Sequence, residues 1–208
     1  MEDKQNYQDD LHHIRDIMER SSRFLSLSGL SGVMAGSYAL AGAVLAYFVI
    51  HDKYGTMSVS ARWSSDFFGP PMELMLIAFV VLVLALSTGL WLSMRRARRL
   101  GVKFFGPTAN RLLINLAIPL GTGGLFVAMI TYQGYYGLAA PLMLIFYGLT
   151  LLNASKYTLP DIRSLGIAEI ILGLLNTLYI GYGLYFWAVG FGALHIIYGL
   201  AMYQKYER

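Results

Sequence analysis

The sequence predicts an all-α integral membrane fold, a six-transmembrane-helix bundle with both termini on the cytoplasmic side and an N-terminal amphipathic helix. Three observations carry that prediction. Of 208 residues, 56% are apolar and only 13% charged, with a mean hydropathy of +0.53, whereas soluble domains run to roughly a quarter charged. Apolar tracts close to the ~20 residues needed to cross ~30 Å of hydrocarbon recur six times, at about 27–50, 72–92, 112–130, 136–152, 160–180 and 185–203. Lysine and arginine then fall almost entirely on one side of that alternation, and positive flanks stay cytoplasmic. Fourteen of the sixteen basic residues precede the first span, fill the second and fourth connections or follow the last span, against Lys53 and Arg62 on the other side. An odd number of spans would break that agreement.

Segment 1–26 is polar and too long to be a cleavable signal, so it is expected to remain attached to a full-length first span. Leu11, Ile14, Met18 and Leu25 fall on one side of a helix, with Arg15, Asp16, Glu19, Arg20 and Arg23 at charge-pairing spacings on the other. Such a helix either lies on the cytoplasmic membrane face or extends the first span. Residues 27–208 form the membrane domain. No segment outside the spans is large enough to bury a soluble core.

In the first span, Gly29, Gly32, Gly36, Ala39, Ala43 and Ala46 recur at alternating three- and four-residue steps. A stripe of small side chains lets backbones approach where no hydrophobic drive exists between helices. Packing within the chain is the favoured reading, with a homodimer contact as the alternative. Between the first two spans, Trp63, Phe67, Phe68 and Pro70-Pro71 have the composition of an interfacial anchor. The run Arg95, Arg96, Arg98, Arg99, extended by Lys103, sets topology and could contact anionic lipid headgroups. In the third span Asn115 is followed by Pro119-Leu-Gly-Thr-Gly-Gly124, so a kink or unwound turn is expected around Asn115, Pro119, Gly121 and Thr122. Gly181-Tyr182-Gly183 supplies permissive backbone for a reversal between the last two spans.

The strongest chemical signal lies in that last hairpin. Gly166, Glu169 and Gly173 in the fifth span match Gly192, His195 and Gly199 in the sixth, with the same glycine spacing around one ionisable residue. At ~1.5 Å per residue both ionisable groups sit ~12 to 14 Å deep, on adjacent antiparallel helices. A carboxylate at that depth needs a partner, and Asn176, seven residues on, shares its helix face. A proton-titratable pair is one reading and a hydrogen-bonded structural clip is the other.

Enzyme readings are weaker. Gly29-Leu30-Ser31-Gly32 resembles the GxSG around the nucleophile of rhomboid intramembrane proteases, and His195 lies in the sixth span as such an enzyme's histidine does. The serine here opens the first span instead of the fourth, away from His195. His12, His13 and Asp16 could bind a cation on one helix face but lack a third firm ligand. A single histidine within the spans excludes bis-histidine haem. Without cysteine there are no disulfides, thiolate metal sites or thiol nucleophiles. No catalytic residue, cofactor or metal is expected.

Three stretches, 11–22 (LHHIRDIMERSS), 182–199 (YGLYFWA and GFGALHIIYG within it) and 205–207 (KYE), resemble a group of small uncharacterised bacterial six-helix membrane proteins with no known activity. The resemblance implies a bacterial inner membrane and nothing about chemistry. From the sequence, an accessory or signalling protein that binds a partner through its helix faces ranks first. A small proton-linked transporter or channel-like protein using Glu169, Asn176 and His195 is the alternative. The expected partners are the lipid bilayer and a protein partner or second copy; the pI of 9.2 reflects charge placement and not nucleic-acid binding.

Overall fold

The computed structural model describes residues 27–54, 72–102 and 104–208. The amphipathic segment 1–26 with His12, His13 and Asp16, the aromatic connection with Trp63, Phe67 and Phe68, and Lys103 lie outside the described residues.

Every element described is helical. The helices are α1 (Gly29–Tyr54), α2 (Met72–Arg99), α3 (Pro107–Tyr132), α4 (Ala139–Ala154, entered through a 3-10 turn at Tyr136–Leu138) and α5 (Asp161–Leu178). A further 3-10 turn, Ile180–Tyr182, leads into α6, in which Gly183–Trp187, a π-helical stretch Ala188–Leu194 and His195–Tyr206 follow without interruption. Five stretches, Gly29–Asp52, Met72–Arg99, Pro107–Tyr132, Tyr136–Ala154 and Ile180–Tyr206, are long and apolar enough to cross a membrane. Helix α5 is the exception by composition, because Asp161, Arg163 and Glu169 place three ionisable residues in 18. Several helices outrun their apolar tracts: α2, for example, continues through its arginines to Arg99. Hydropathy marks the part of a helix that fits in hydrocarbon, and the hydrogen-bond ladder does not stop there.

Helix α1 packs between α2 and α6, α4 packs between α3 and α5, and α6 joins the two sets through α4 and α5. Helices α2 and α3 end in the same way. Gly101 (φ 67) and Gly134 (φ 92) take the left-handed conformation, and the following Val102 and Tyr135 amides return to the Ala97 and Ile130 carbonyls. These are Schellman caps, which glycine makes without strain.

The reversal at 181–183 does not use the backbone freedom expected of it, since neither Gly181 nor Gly183 has positive φ. The chain leaves α5 through Tyr179 (φ −124, ψ 56) and a 3-10 turn. Glycine at 183 serves packing instead, because a Cβ there would lie 3.1 Å from Ala140 Cβ.

The small-residue stripe is an internal seam. A Cβ on Gly32 would lie 3.1 Å from Gly199 Cα, and one on Gly36 would lie 2.6 Å from the Gly192 carbonyl oxygen. Gly199 in turn approaches the Val33 amide and the Gly29 carbonyl. Ala39, Ala43 and Ala46 continue the buried face.

Helix α3 runs unbroken through Pro119, Gly121 and Thr122, against the expected unwound turn. Proline at 119 has no amide to donate, which frees the Asn115 carbonyl four residues earlier. Asn153 Nδ2 of α4 donates to that carbonyl and to Asn115 Oδ1, each at 3.1 Å. A neighbouring helix thereby satisfies the group that would otherwise disrupt the ladder. We expect Asn153→Leu to lower stability by about 1 kcal/mol, the scale of interhelical hydrogen bonds in membranes. Reversible unfolding in mixed detergent checks this, and Asn153→Gln should retain more of the stability than leucine does.

At the basic end a polar knot holds the bundle shut. Arg96 donates to the Leu27 carbonyl, to the Tyr206 carbonyl at 2.8 Å and to Glu207 Oε1 at 3.1 Å. Glu207 also accepts from the Gly29 amide and, at 3.2 Å, from the Ser28 hydroxyl, an acidic group at a helix N-terminus where the dipole favours it. Beside it, Lys205 and Tyr206 both bond the Asp161 carboxylate, at 3.0 Å and 2.6 Å. Arg96 is therefore committed within the fold and leaves the lipid-contact set, in which Arg95, Arg98 and Arg99 remain exposed. Because it ties α1, α2 and α6 together, Arg96→Gln should cost about 2 kcal/mol, the worth of hydrogen bonds to a charged group. Arg98→Gln, measured by the same unfolding, should change little.

Candidate functional site

Glu169 and His195 meet. Glu169 projects from α5 and is 0% exposed, and His195 from α6 is 7% exposed. Their closest atoms, Glu169 Oε1 and His195 Nδ1, are 3.5 Å apart. The glycines flanking each residue do not pair with one another. Gly166 and Gly173 pack on α4, at Gly148 and at Pro141 and Ile145, while Gly192 and Gly199 pack on α1. Each ionisable side chain is thus carried by a helix whose glycines hold it tightly to a different neighbour.

The seat for the carboxyl is made by α6. The stretch Ala188–Leu194 is π-helical, a wider turn that appears mostly where function distorts a helix. Within it Gly190 is fully packed, and a Cβ there would lie 2.5 Å from Glu169 Oε2. Glycine at 190 therefore makes the space the carboxyl occupies. The same residue's carbonyl oxygen lies 2.9 Å from His195 Nδ1.

That last contact fixes the histidine's tautomer. A carbonyl can only accept, so Nδ1 carries a proton. In the neutral ring Nε2 is then an acceptor, and it lies 2.7 Å from the Tyr147 hydroxyl of α4, which donates. Tyr147 was not singled out in the sequence, where it is one of fifteen tyrosines; its spacing carries no signal, because its partner is on another helix. The cluster is also ringed: Phe191 packs on Tyr147 with centroids 5.1 Å apart, and Trp187 packs on Phe191 at 5.4 Å.

Neither carboxyl oxygen of Glu169 has a hydrogen-bond donor among the described residues. An ionised carboxylate in a low-dielectric interior needs compensation, and His195 at 3.5 Å is the basic group placed to give it. Carboxyl, imidazole and phenol from three helices are thus gathered at one place, the phenol hydrogen-bonded to the imidazole and the carboxyl in contact with it at 3.5 Å without a hydrogen bond. Asn176 is buried on α5 but does not join them by a hydrogen bond. Its amide caps the helix, donating to the Tyr179 carbonyl at 3.1 Å, and its Oδ1 has no donor among the described residues.

No protein-family model, curated protein or solved structure matches this chain. Of the remaining sequence candidates, Ser31 lies among the described residues and His12, His13 and Asp16 do not. Ser31 does not meet the imidazole: its hydroxyl donates to the Ser28 carbonyl, while both His195 nitrogens are taken by Gly190 and Tyr147. The described residues hold no group of three or more His, Cys, Asp or Glu side chains placed to bind a metal.

Proposed function

We propose that the chain is a multi-pass protein of a bacterial inner membrane, crossing six times with both termini cytoplasmic, and that it performs proton-linked transport through Glu169, His195 and Tyr147. The observation that carries this reading is a fully buried carboxyl with no hydrogen-bond donor on either oxygen among the described residues, facing a histidine that directly follows a π-helical stretch. Groups of that kind inside spans mark proton relays and ion pathways. The two ends of the bundle also differ. The basic end is closed by the Arg96 knot and by the apolar cluster of Leu151, Leu159, Ile162, Leu165 and Met202, and the opposite end contains a cavity of about 130 Å³. The titratable cluster lies between them. The resemblance to small bacterial membrane proteins supports the compartment, and the positive flanks support the orientation. Arg95, Arg98 and Arg99, each contributing ~1 kcal/mol near an anionic leaflet, would hold the basic end against it.

Proteoliposomes carrying an internal pH dye test this. Under an imposed pH gradient the wild type should dissipate the gradient at least tenfold faster than Glu169→Gln, and equal rates would remove the proton-linked reading.

A second reading, an accessory or signalling protein that docks a partner helix or a second copy, loses the small-residue stripe as its surface, because α6 occupies it. What favours it now is α2, where only Leu92, Ser93 and Ala97 are buried. A leucine-to-tryptophan substitution at Leu82, exposed on α2, should abolish co-purification of a partner if that face is used.

A further inference from the structure

We propose that the cavity at the end opposite the Arg96 knot is a binding site for a small, uncharged, apolar molecule about the size of benzene, and that this molecule is what the proton cluster is coupled to. The second half of this inference rests on the proton-linked reading, and the first half does not.

The cavity is built by five helices, with Gly42 and Ala46 of α1, Ala78 of α2, Ala140 of α4 and Gly183 of α6 among its walls. Small residues at these positions leave the space that larger apolar side chains would fill. The lining holds no Asp, Glu, Lys, Arg or His, and its polar side chains are Thr131, Tyr136 and Trp187. The Thr131 hydroxyl, which faces it, already donates to the Val127 carbonyl at 2.7 Å. A charged or strongly polar ligand would lose its hydration and gain little in return. An apolar molecule loses nothing, and in another protein an enclosed apolar cavity of about 150 Å³ binds benzene; the cavity here is similar in volume and about half open to its surroundings. At about 130 Å³ this one holds a single ring or a short branched hydrocarbon.

Continuity with the proton cluster argues for a transported molecule as the occupant. Trp187 lines the cavity and packs on Phe191 with ring centroids 5.4 Å apart and the planes tilted by 47°. Phe191 packs on both Tyr147 and His195, at 5.1 Å and 6.1 Å. Trp187 closes the α-helical opening of α6 and Phe191 lies in the π-helical stretch, so any change of register in 188–194 moves the cavity wall and the seat of Glu169 together. The titratable groups gathered at that seat are Tyr147 from α4, Glu169 from α5 and His195 from α6; α1 presents Gly36 and Leu40 to this part of α6.

Fluorobenzene observed by ¹⁹F NMR, with the full chain in lipid nanodiscs and empty nanodiscs as the background, is the test. The wild type should show saturable binding above background, and Ala78→Leu and Ala140→Leu, which fill the cavity from two different helices, should each weaken it at least tenfold while melting normally. Glu169→Gln should still bind saturably, with an affinity that no longer depends on pH. Binding that is equal in both leucine variants would overturn the site. Binding seen in detergent but absent in nanodiscs would also overturn it, by assigning the cavity to a lipid chain. Saturable, cavity-dependent binding with no pH dependence in the wild type would keep the site and overturn its coupling to the cluster.

Discussion

Glu169→Gln should abolish the proposed gradient-driven proton movement by the reconstituted protein and leave the fold at least as stable as the wild type. Glutamine keeps the volume of the side chain, so the seat made by Gly190 is still filled and Leu144, against which the same glycine packs, is undisturbed. What disappears is the group that can gain and lose a proton. Burying a carboxylate in the middle of a span is unfavourable by roughly 2.5 to 3.5 kcal/mol on insertion scales, and its neutral isostere does not carry that penalty. His195→Ala behaves differently. It removes the partner of the carboxyl, the donor to the Gly190 carbonyl and the acceptor for the Tyr147 hydroxyl at once, so it should lower stability by about 3 kcal/mol. A purely structural clip would make the two variants alike in stability and silent in proton flux. The contrast between them, measured by unfolding midpoint and by dye-reported flux, separates the two roles.

Leucine at position 36 forces α1 away from α6. The Cβ alone would sit 2.6 Å from the Gly192 carbonyl and 2.7 Å from Ile196 Cγ1, and the first of these is backbone that cannot step aside. Overpacking in well-packed cores typically costs 1–3 kcal/mol, occasionally more, and a clash with backbone belongs at the upper end, about 3 kcal/mol. Gly124→Leu on α3 is the matched control, since no atom lies within 4 Å of a Cβ there. That substitution should be neutral or slightly stabilising, because leucine is the better helix former. Equal losses at the two positions would mean that the stripe is not the seam between α1 and α6.

How much of this was legible beforehand depended on whether a feature was local to one helix. The helices and the meeting of Glu169 and His195 could be read from apolar tract lengths and residue counting, because a helix rises uniformly and residues equally far from the joined ends of two antiparallel neighbours come level. The packing partner of the Gly29, Gly32, Gly36 stripe could not, because a stripe names a face and not what lies against it. Pro119 was legible only in part for a related reason: the proline and its glycines are visible in α3, but the Asn153 amide that satisfies the freed Asn115 carbonyl, and leaves the helix without an unwound turn, is on α4. Tyr147 was hidden in the same way. Arg96 illustrates the limit of reading charge runs as surface. One arginine of four is turned inward by three acceptors, at Leu27, Tyr206 and Glu207, that are distant in sequence. The π-helical stretch had only Gly190 and Gly192 as its trace, and the same two-residue spacing at Gly181 and Gly183 marks a 3-10 turn instead.

The central claim is that Glu169 exchanges its proton with the surroundings under the influence of His195. The infrared carboxyl band of the purified protein, followed across the range from about pH 5 to 8 in which histidine changes charge, tests it most directly, with the band assigned by its loss in Glu169→Gln. A band whose amplitude changes with pH, and whose titration moves in His195→Ala, is the predicted result. A carboxyl band that is the same at every pH and in both histidine backgrounds would contradict the account and leave the cluster as a structural clip.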